Sequence, residues 1–218
     1  MKILVINPVG TSVWDENDRK LYEGFTSPQT EVDVVSLDKG PGSIETREDE
    51  AEALPEIIKK AKELHKKYDG IVVNCCLDVG VDVIRSIIAT PVIGPCEASL
   101  ALASVLGRKI GIVSVSKTAI ELFEELVIKY RMEERVVSIR GIDISVPEIE
   151  KDVEKTIELL KKEIEEAIKE QAQVIVLGCT GLAGFATKLQ KFFKVPILDP
   201  AECAAKILEN VVEIRKRF

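Results

Sequence analysis

Short runs of aliphatic and β-branched residues alternate along the whole chain with longer stretches of helical periodicity. Eight runs read as strands: residues 3–7, 32–37, 70–74, 92–94, 110–115, 135–139, 174–178 and 195–198. Several are apolar almost without interruption, the pattern of strands covered on both faces. Strands that alternate with helices imply parallel sheets joined by right-handed crossovers. Ile149, Val153, Ile157, Leu160, Ile164 and Ile168 recur at steps of three and four, forming one apolar stripe. Glu158–Lys162 and Glu165–Lys169 are stabilising pairs on its wet side. Thr118 followed by Glu121 predicts a capping box opening the helix that follows it. Residues 97–106 (EASLALASVL) are apolar almost all round, which suits an interface between lobes or between copies in a homo-oligomer.

The chain also repeats itself. Residues 2–6 (KILVI) match 109–113 (KIGIV), 69–75 (DGIVVNC) match 173–179 (QVIVLGC), and 91–97 (PVIGPCE) match 196–202 (PILDPAE). One such pair could arise by chance between apolar strands; three in the same order argue for duplication. The expected fold is α/β, with two pseudo-symmetric lobes, each a four-stranded parallel sheet flanked by helices. Residues 1–97 plus 201–218 make the first lobe and 98–200 the second, with an active site in the cleft between them. The C-terminal helix returns to pack on the first lobe.

Composition narrows the function. The 218 residues carry a net charge of −7, with 46% hydrophobic and 31% charged residues. That balance suits a soluble protein and lacks the basic face that nucleic-acid binding or an anionic membrane would need. No apolar run approaches a membrane span. The opening MKILVINP is too short for a signal-peptide core and reads as the first strand, so a cytoplasmic protein is expected. There are five cysteines, an odd number that suggests no disulfide framework. With one histidine, His65, and no CxxC pair, no metal site is expected.

The duplication singles out two of the thiols. Cys75 and Cys179 stand at equivalent positions, each just after the third strand of its lobe. Ligands of open parallel sheets bind beyond the carboxyl ends of the strands. Each cysteine precedes a Gly-containing segment and a helix, whose N-terminus favours a thiolate and offers N–H groups to an anionic oxygen. Two thiols on opposite sides of one cleft can invert a carbon acid: one removes the proton and the other returns one. Backbone N–H groups would stabilise the enolate oxygen, and neither a metal nor an organic cofactor is required. The repeat selects Cys75, and its neighbour Cys76 stays as the alternative, since strand alternation aims the two in opposite directions. Cys96 and Cys203 do not correspond and read as core residues. Ser114 and Ser116 end the strand equivalent to the first and either line the cleft or cap locally. Asp78 reads as the N-cap of the helix that follows it. Asn7 and Thr180 are each open to a capping role.

Residues 75–80 (CCLDVG), 179–181 (CTG), Asn7-Pro8, and residues 40–45 (GPGSIE) with Asp49-Glu50 together resemble the hydantoin racemases of the aspartate/glutamate racemase superfamily. Residues 91–98 (PVIGPCEA) are similar as well, so the likeness runs along nearly the whole chain. The resemblance implies the pseudo-twofold fold, an acid/base pair at Cys75 and Cys179, and no cofactor. It also implies substrate contacts from Asn7, Pro41, Ser43, Ile44, Thr180 and Gly181, to which Cys76 and Ser114 are added from the pattern above. The aspartate and glutamate branches carry Asn-Thr near the first cysteine and a His or acidic residue after the second Cys-Thr. Here Leu77-Asp78 and Gly181 stand instead. The expected activity is racemisation of a small carbon acid, a 5-substituted hydantoin such as allantoin. The alternatives are an aspartate or glutamate racemase, a single-cysteine decarboxylase or isomerase of the same fold, and a non-catalytic two-lobed binding protein.

Overall fold

The computed structural model describes residues 1–149 and 151–218. The chain divides into two compact units, Met1–Pro95 with Ala201–Phe218, and Cys96–Pro200. In the first, β1 (Lys2–Asn7), β2 (Glu31–Ser36), β3 (Gly70–Val73) and β4 (Val92–Ile93) form a parallel sheet in the order β2-β1-β3-β4. In the second, β5 (Ile110–Ser114), β6 (Val136–Gly141), β7 (Val174–Leu177) and β8 (Ile197–Leu198) repeat that order as β6-β5-β7-β8. The α/β architecture of two four-stranded parallel sheets expected from the sequence is the one observed.

The central strands are the ones whose sequences are continuously apolar. Ile3, Leu4, Val5 and Ile6 of β1 are wholly buried, as are Ile71, Val72 and Val73 of β3, because helices cover both faces. The outer strands β2 and β6 are partly exposed. In β6 the register slips: Ile110 pairs with Val136 but Gly111 pairs with Ser138.

Eight helices are described: α1 (Asp15–Phe25), α2 (Arg47–Leu64), α3 (Val81–Ile87), α4 (Pro95–Leu106), α5 (Ile120–Lys129), α6 (Val153–Lys169), α7 (Phe185–Leu189) and α8 (Pro200–Arg215). The apolar stripe predicted for α6 buries Leu160 and Ile164. Ile149 lies ahead of the helix, which opens only after Asp152, whose side chain accepts from Lys155 N. The capping box expected at Thr118 and Glu121 does not form. α5 starts behind Ala119 with no side-chain cap, and Ser116 Oγ captures the Thr118 N–H at 3.1 Å. A Ser two residues ahead closes a local turn that competes with the cap. A capping box stands at Thr46 and Asp49 instead, opening α2.

Helix α4 is apolar on nearly all sides, yet its last residues are exposed: Val105 is 83% exposed and Leu106 54%. α8 returns to the first unit. Gly70 of β3 is needed for that return, since a Cβ there would lie 2.6 Å from Leu208 Cδ1. No helix among the described residues is long and apolar enough to cross a membrane.

Glu209 ties α8 to the turn before β2. Its Oε1 accepts from Ser27 N at 2.9 Å and from the Thr30 hydroxyl at 2.5 Å. Burial pushes this carboxyl up, but the Thr30 and Ser27 donors more than offset it, and its pKa lies below the ordinary value. A carboxylate lowered in the folded state stabilises the fold above the ordinary glutamate range near pH 4.3, and loses that effect as pH falls through the folded value. Glu209→Gln is therefore expected to cost about 1 kcal/mol at pH 7 and less near pH 3. Urea unfolding of both proteins at the two pH values checks this.

Candidate active site

In the first unit, a buried polar network closes the carboxyl ends of β1 and β3. Asn7, the last residue of β1, donates from Nδ2 to Asp15 Oδ1 at 2.9 Å and to Asp18 Oδ2 at 2.8 Å. Its Oδ1 accepts from Asn74 Nδ2 at 2.8 Å. Asn74 Oδ1 in turn accepts from the Tyr22 hydroxyl at 2.9 Å. Ser36, at the end of β2, has its hydroxyl 2.6 Å from Asp15 Oδ1 and 2.7 Å from the Thr11 carbonyl, two acceptors for its one proton. Tyr22 is 1% exposed, Asn7 3% and Asn74 8%. Groups so buried need these partners, because an unmade hydrogen bond costs about 1–3 kcal/mol.

Cys75 follows Asn74 directly and opens a turn, its carbonyl accepting from Asp78 N at 3.0 Å. Its sulfur accepts from Leu77 N at 3.5 Å. Cys75 and Cys76 are both buried. The sequence reading expected a Gly-containing segment and then a helix behind the thiol. The structure interposes this turn and a left-handed Gly80, and α3 opens only at Val81. Asp78 is not the N-cap of α3: Gly80 holds that position, with no side-chain cap. Asp78 is itself left-handed, at φ 51°, and buried.

The GPGSIE stretch lies against the loop after β1. Gly10 N donates to the Pro41 carbonyl at 2.9 Å, and a Cβ on Gly10 would stand 2.5 Å from Gly40 O, so only glycine permits the approach. Pro41 is buried, while Ser43 and Ile44 are half-buried. Ser43 Oγ donates to Glu45 Oε1, and Asp49 Oδ2 accepts from the N–H groups of Glu45 and Thr46. The motif thus ends in the cap of α2, a structural role its spacing did not suggest.

The second unit repeats the turn with different supports. Cys179 follows β7 and Gly178, and its carbonyl accepts from Leu182 N at 3.0 Å, matching the Asp78-to-Cys75 bond. Thr180–Leu182 is a single 3₁₀ turn with no side-chain cap, so here too α7 begins well beyond the thiol. Ser114 ends β5 and donates to the Gly178 carbonyl at 3.1 Å. Ser116, its neighbour two residues on, is taken up by Thr118. Gly178 stands where the first unit has Asn74, and a Cβ there would meet Ser114 Cβ at 2.9 Å and Phe123 Cζ at 3.0 Å. The layer is therefore polar in one unit and close-packed in the other. Cys179 and Thr180 are half-buried, and Gly181 is exposed. A Cβ on Gly181 would stand 3.4 Å from Cys179 Sγ.

Within the first unit the structure gathers Asn7 and Cys75 at adjacent strand ends and seats Pro41 on the neighbouring loop. Within the second it gathers Ser114, Cys179, Thr180 and Gly181. All five cysteines are thiols. The sequence reading missed Asn74, Tyr22, Asp15 and Asp18. Their only sequence signal is an acid-rich first turn in α1 and an amide directly before the cysteine.

The Asp/Glu/hydantoin racemase family model matches residues 3–208. The chain is 34% identical to a hydantoin racemase of Pseudomonas sp. (strain NS671), over 100% of this chain and 88% of that one. It is 31% identical to a hydantoin racemase of Paenarthrobacter aurescens, over 98% and 92%. Among solved structures, allantoin racemase from Klebsiella pneumoniae superimposes with a TM-score of 0.93 at 27% identity, covering 99% of this chain and 89% of that one.

Proposed function

Since the chain belongs to the Asp/Glu/hydantoin racemase family, we propose that it is a cofactor-independent racemase of 5-substituted hydantoins, allantoin-like rings included, and that Cys75 and Cys179 are its acid/base pair. The observation that carries the reading is the equivalence of the two cysteines. Each follows the third strand of its sheet and opens a turn closed by an N–H three residues on.

The chemistry is a two-base inversion. For one enantiomer, Cys75 as thiolate removes the C5 proton, and the electron pair moves into the adjacent carbonyl to give an enolate. Cys179 as thiol then delivers a proton to the opposite face of C5. The other enantiomer exchanges these roles. An ordinary thiol titrates near pH 8.5, close enough to neutrality to serve in either sense. Backbone donors of the two turns stabilise the enolate oxygen. Cys76, Pro41, Ser43, Ile44, Ser114, Thr180 and Gly181 surround the ring. Asn7 contributes through Asn74, since its own amide hydrogens go to Asp15 and Asp18. No Lys or Arg lies within a few residues of either cysteine, which favours a neutral ring over a dicarboxylate. A small-molecule substrate and a cytoplasmic site of action accompany this reading.

The test is to incubate single enantiomers of allantoin and other 5-substituted hydantoins with the enzyme in deuterated water. Optical rotation should decay to zero while the C5–H proton signal disappears, both well above the enzyme-free rate. Unchanged rotation across the panel would remove the substrate assignment. The same trial with aspartate and glutamate separates the two branches of the family.

A further inference from the structure

The two units hold a buried carboxylate at one matching place, but hang it from different elements. The repeat aligns Cys75 with Cys179, Gly80 with Gly184, Gly94 with Asp199 and Pro95 with Pro200. The structure supports that alignment locally. Gly80 and Gly184 are both left-handed, at φ 74° and 85°, and each precedes a short helix. Pro95 and Pro200 each open a long helix, α4 and α8.

In the second unit, Asp199 sits immediately before α8 and is 3% exposed. It accepts from Gly184 N at 2.6 Å, fastening the far end of the cysteine turn to the start of that helix. In the first unit the aligned residue is Gly94, which has no side chain to offer. The space is filled from the other side: a Cβ on Gly94 would lie 2.3 Å from both Cγ and Oδ1 of Asp78. Asp78 is 2% exposed and belongs to the cysteine turn itself, its N–H closing onto the Cys75 carbonyl. It holds a left-handed conformation that costs a non-glycine residue about 1 kcal/mol or more. The position aligned with Asp78 in the second unit is Leu182, which is apolar and buried. The carboxylate has thus moved from the strand end to the turn, and the glycine appears where the moved group needs room.

We propose that Asp78 and Asp199 are equivalent positioning residues, one for each cysteine, that set where the sulfur stands by locking its turn onto the strand-end position just ahead of α4 or α8. This rests on the two-cysteine reading for its effect on turnover, but not for its effect on each thiol. Asp78 governs Cys75, and Asp199 governs Cys179. Displacing a reacting group by about 1 Å can cost on the order of 100-fold in rate.

The experiment transplants the arrangement of the second unit into the first. Asp78→Leu, Gly94→Asp and the double variant D78L/G94D are made in the full chain, with Asp78→Asn and Asp199→Asn as conservative partners. Three readouts are taken: kcat and KM for racemisation, thermal unfolding, and the pH profile of alkylation at each cysteine, resolved by peptide mass. Asp78→Leu should lower kcat by roughly 10- to 100-fold with KM within about threefold, and move the alkylation profile of Cys75 alone. Gly94→Asp should be as damaging, since two carboxylates then claim one space. The double variant should regain most of the lost kcat and restore the Cys75 profile. Asp199→Asn should move the profile of Cys179 alone. The proposal is overturned if D78L keeps the parent kcat and Cys75 profile, or if either single variant shifts both thiols together. It is equally overturned if the double variant is no better folded or faster than Asp78→Leu. Absence of racemisation in the parent protein would sink the substrate assignment while leaving the alkylation result to judge this inference.

Discussion

Cys75→Ser and Cys179→Ser should each lower racemisation by about three orders of magnitude, while each leaves one enantiomer able to exchange its C5 proton with solvent. A hydroxyl nearly matches the shape of a thiol, so the fold should survive. It titrates far above an ordinary thiol, and positioned acid/base groups contribute about 10²–10⁴-fold. Inversion needs both partners, so either loss stops it. Proton removal needs only one. In the Cys75→Ser protein, Cys179 still takes the proton from the enantiomer that presents it, and the same sulfur returns deuterium to the same face. Deuterium should therefore enter that enantiomer without loss of rotation, and the Cys179→Ser protein should show the same behaviour with the opposite enantiomer. Following proton NMR and polarimetry in parallel resolves the two. Near-parental turnover in either variant would refute the paired mechanism and favour a single-cysteine chemistry. Cys76→Ser tests the neighbouring position: a larger loss of racemisation there than in Cys75→Ser would make Cys76 the first acid/base group.

Asn74→Leu is expected to destabilise the protein by about 3 kcal/mol, lowering its thermal midpoint by roughly 6–12 °C. Leucine shares the branching of asparagine at Cγ but is bulkier, so overpacking adds to the loss of the hydrogen bonds. It takes away the acceptor of the Tyr22 hydroxyl and the donor to Asn7 Oδ1, both in buried surroundings. Each group stranded in this way costs about 1–3 kcal/mol. The pair is testable as a cycle: Tyr22→Phe should cost about 1–2 kcal/mol alone but much less on top of Asn74→Leu, because its partner is already gone. Calorimetry of the four proteins supplies the coupling. Additive losses, or an Asn74→Leu protein within about 0.5 kcal/mol of the parent, would contradict the network. The aligned position in the other unit makes the opposite demand. Gly178→Asn would drive a side chain into Ser114 and Phe123.

Much of the fold was legible because the code for it is local. A strand buried on both faces must be apolar along its interior, and residues 3–6 of β1, 110–113 of β5, and all of β3 and β7 carry no polar side chain. The helix of α6 declares itself through the spacing of Leu160 and Ile164. The exposed end of α4 was not legible, since an apolar sequence does not reveal what covers it. Caps were the least readable elements. Thr118 and Glu121 have the right spacing, yet Ser116 reaches the Thr118 N–H first. Asp78 stands just ahead of a helix, yet its carboxylate turns toward Gly94.

By itself, the sequence determined the duplication, the parallel sheets and the equivalence of Cys75 with Cys179. Apolar periodicity and repeated strings survive in one dimension, because burial acts on each strand in the same way wherever it lies. Only the tertiary structure decided which polar groups support each thiol: Tyr22, Asn74 and Asn7 on one side, Ser114 and a close-packed glycine on the other. Those partners lie far apart along the chain, 52 residues between Tyr22 and Asn74 and 67 between Asn74 and Asn7. Hydrogen bonds depend on distance and direction in space, and folding alone brings such donors and acceptors into reach.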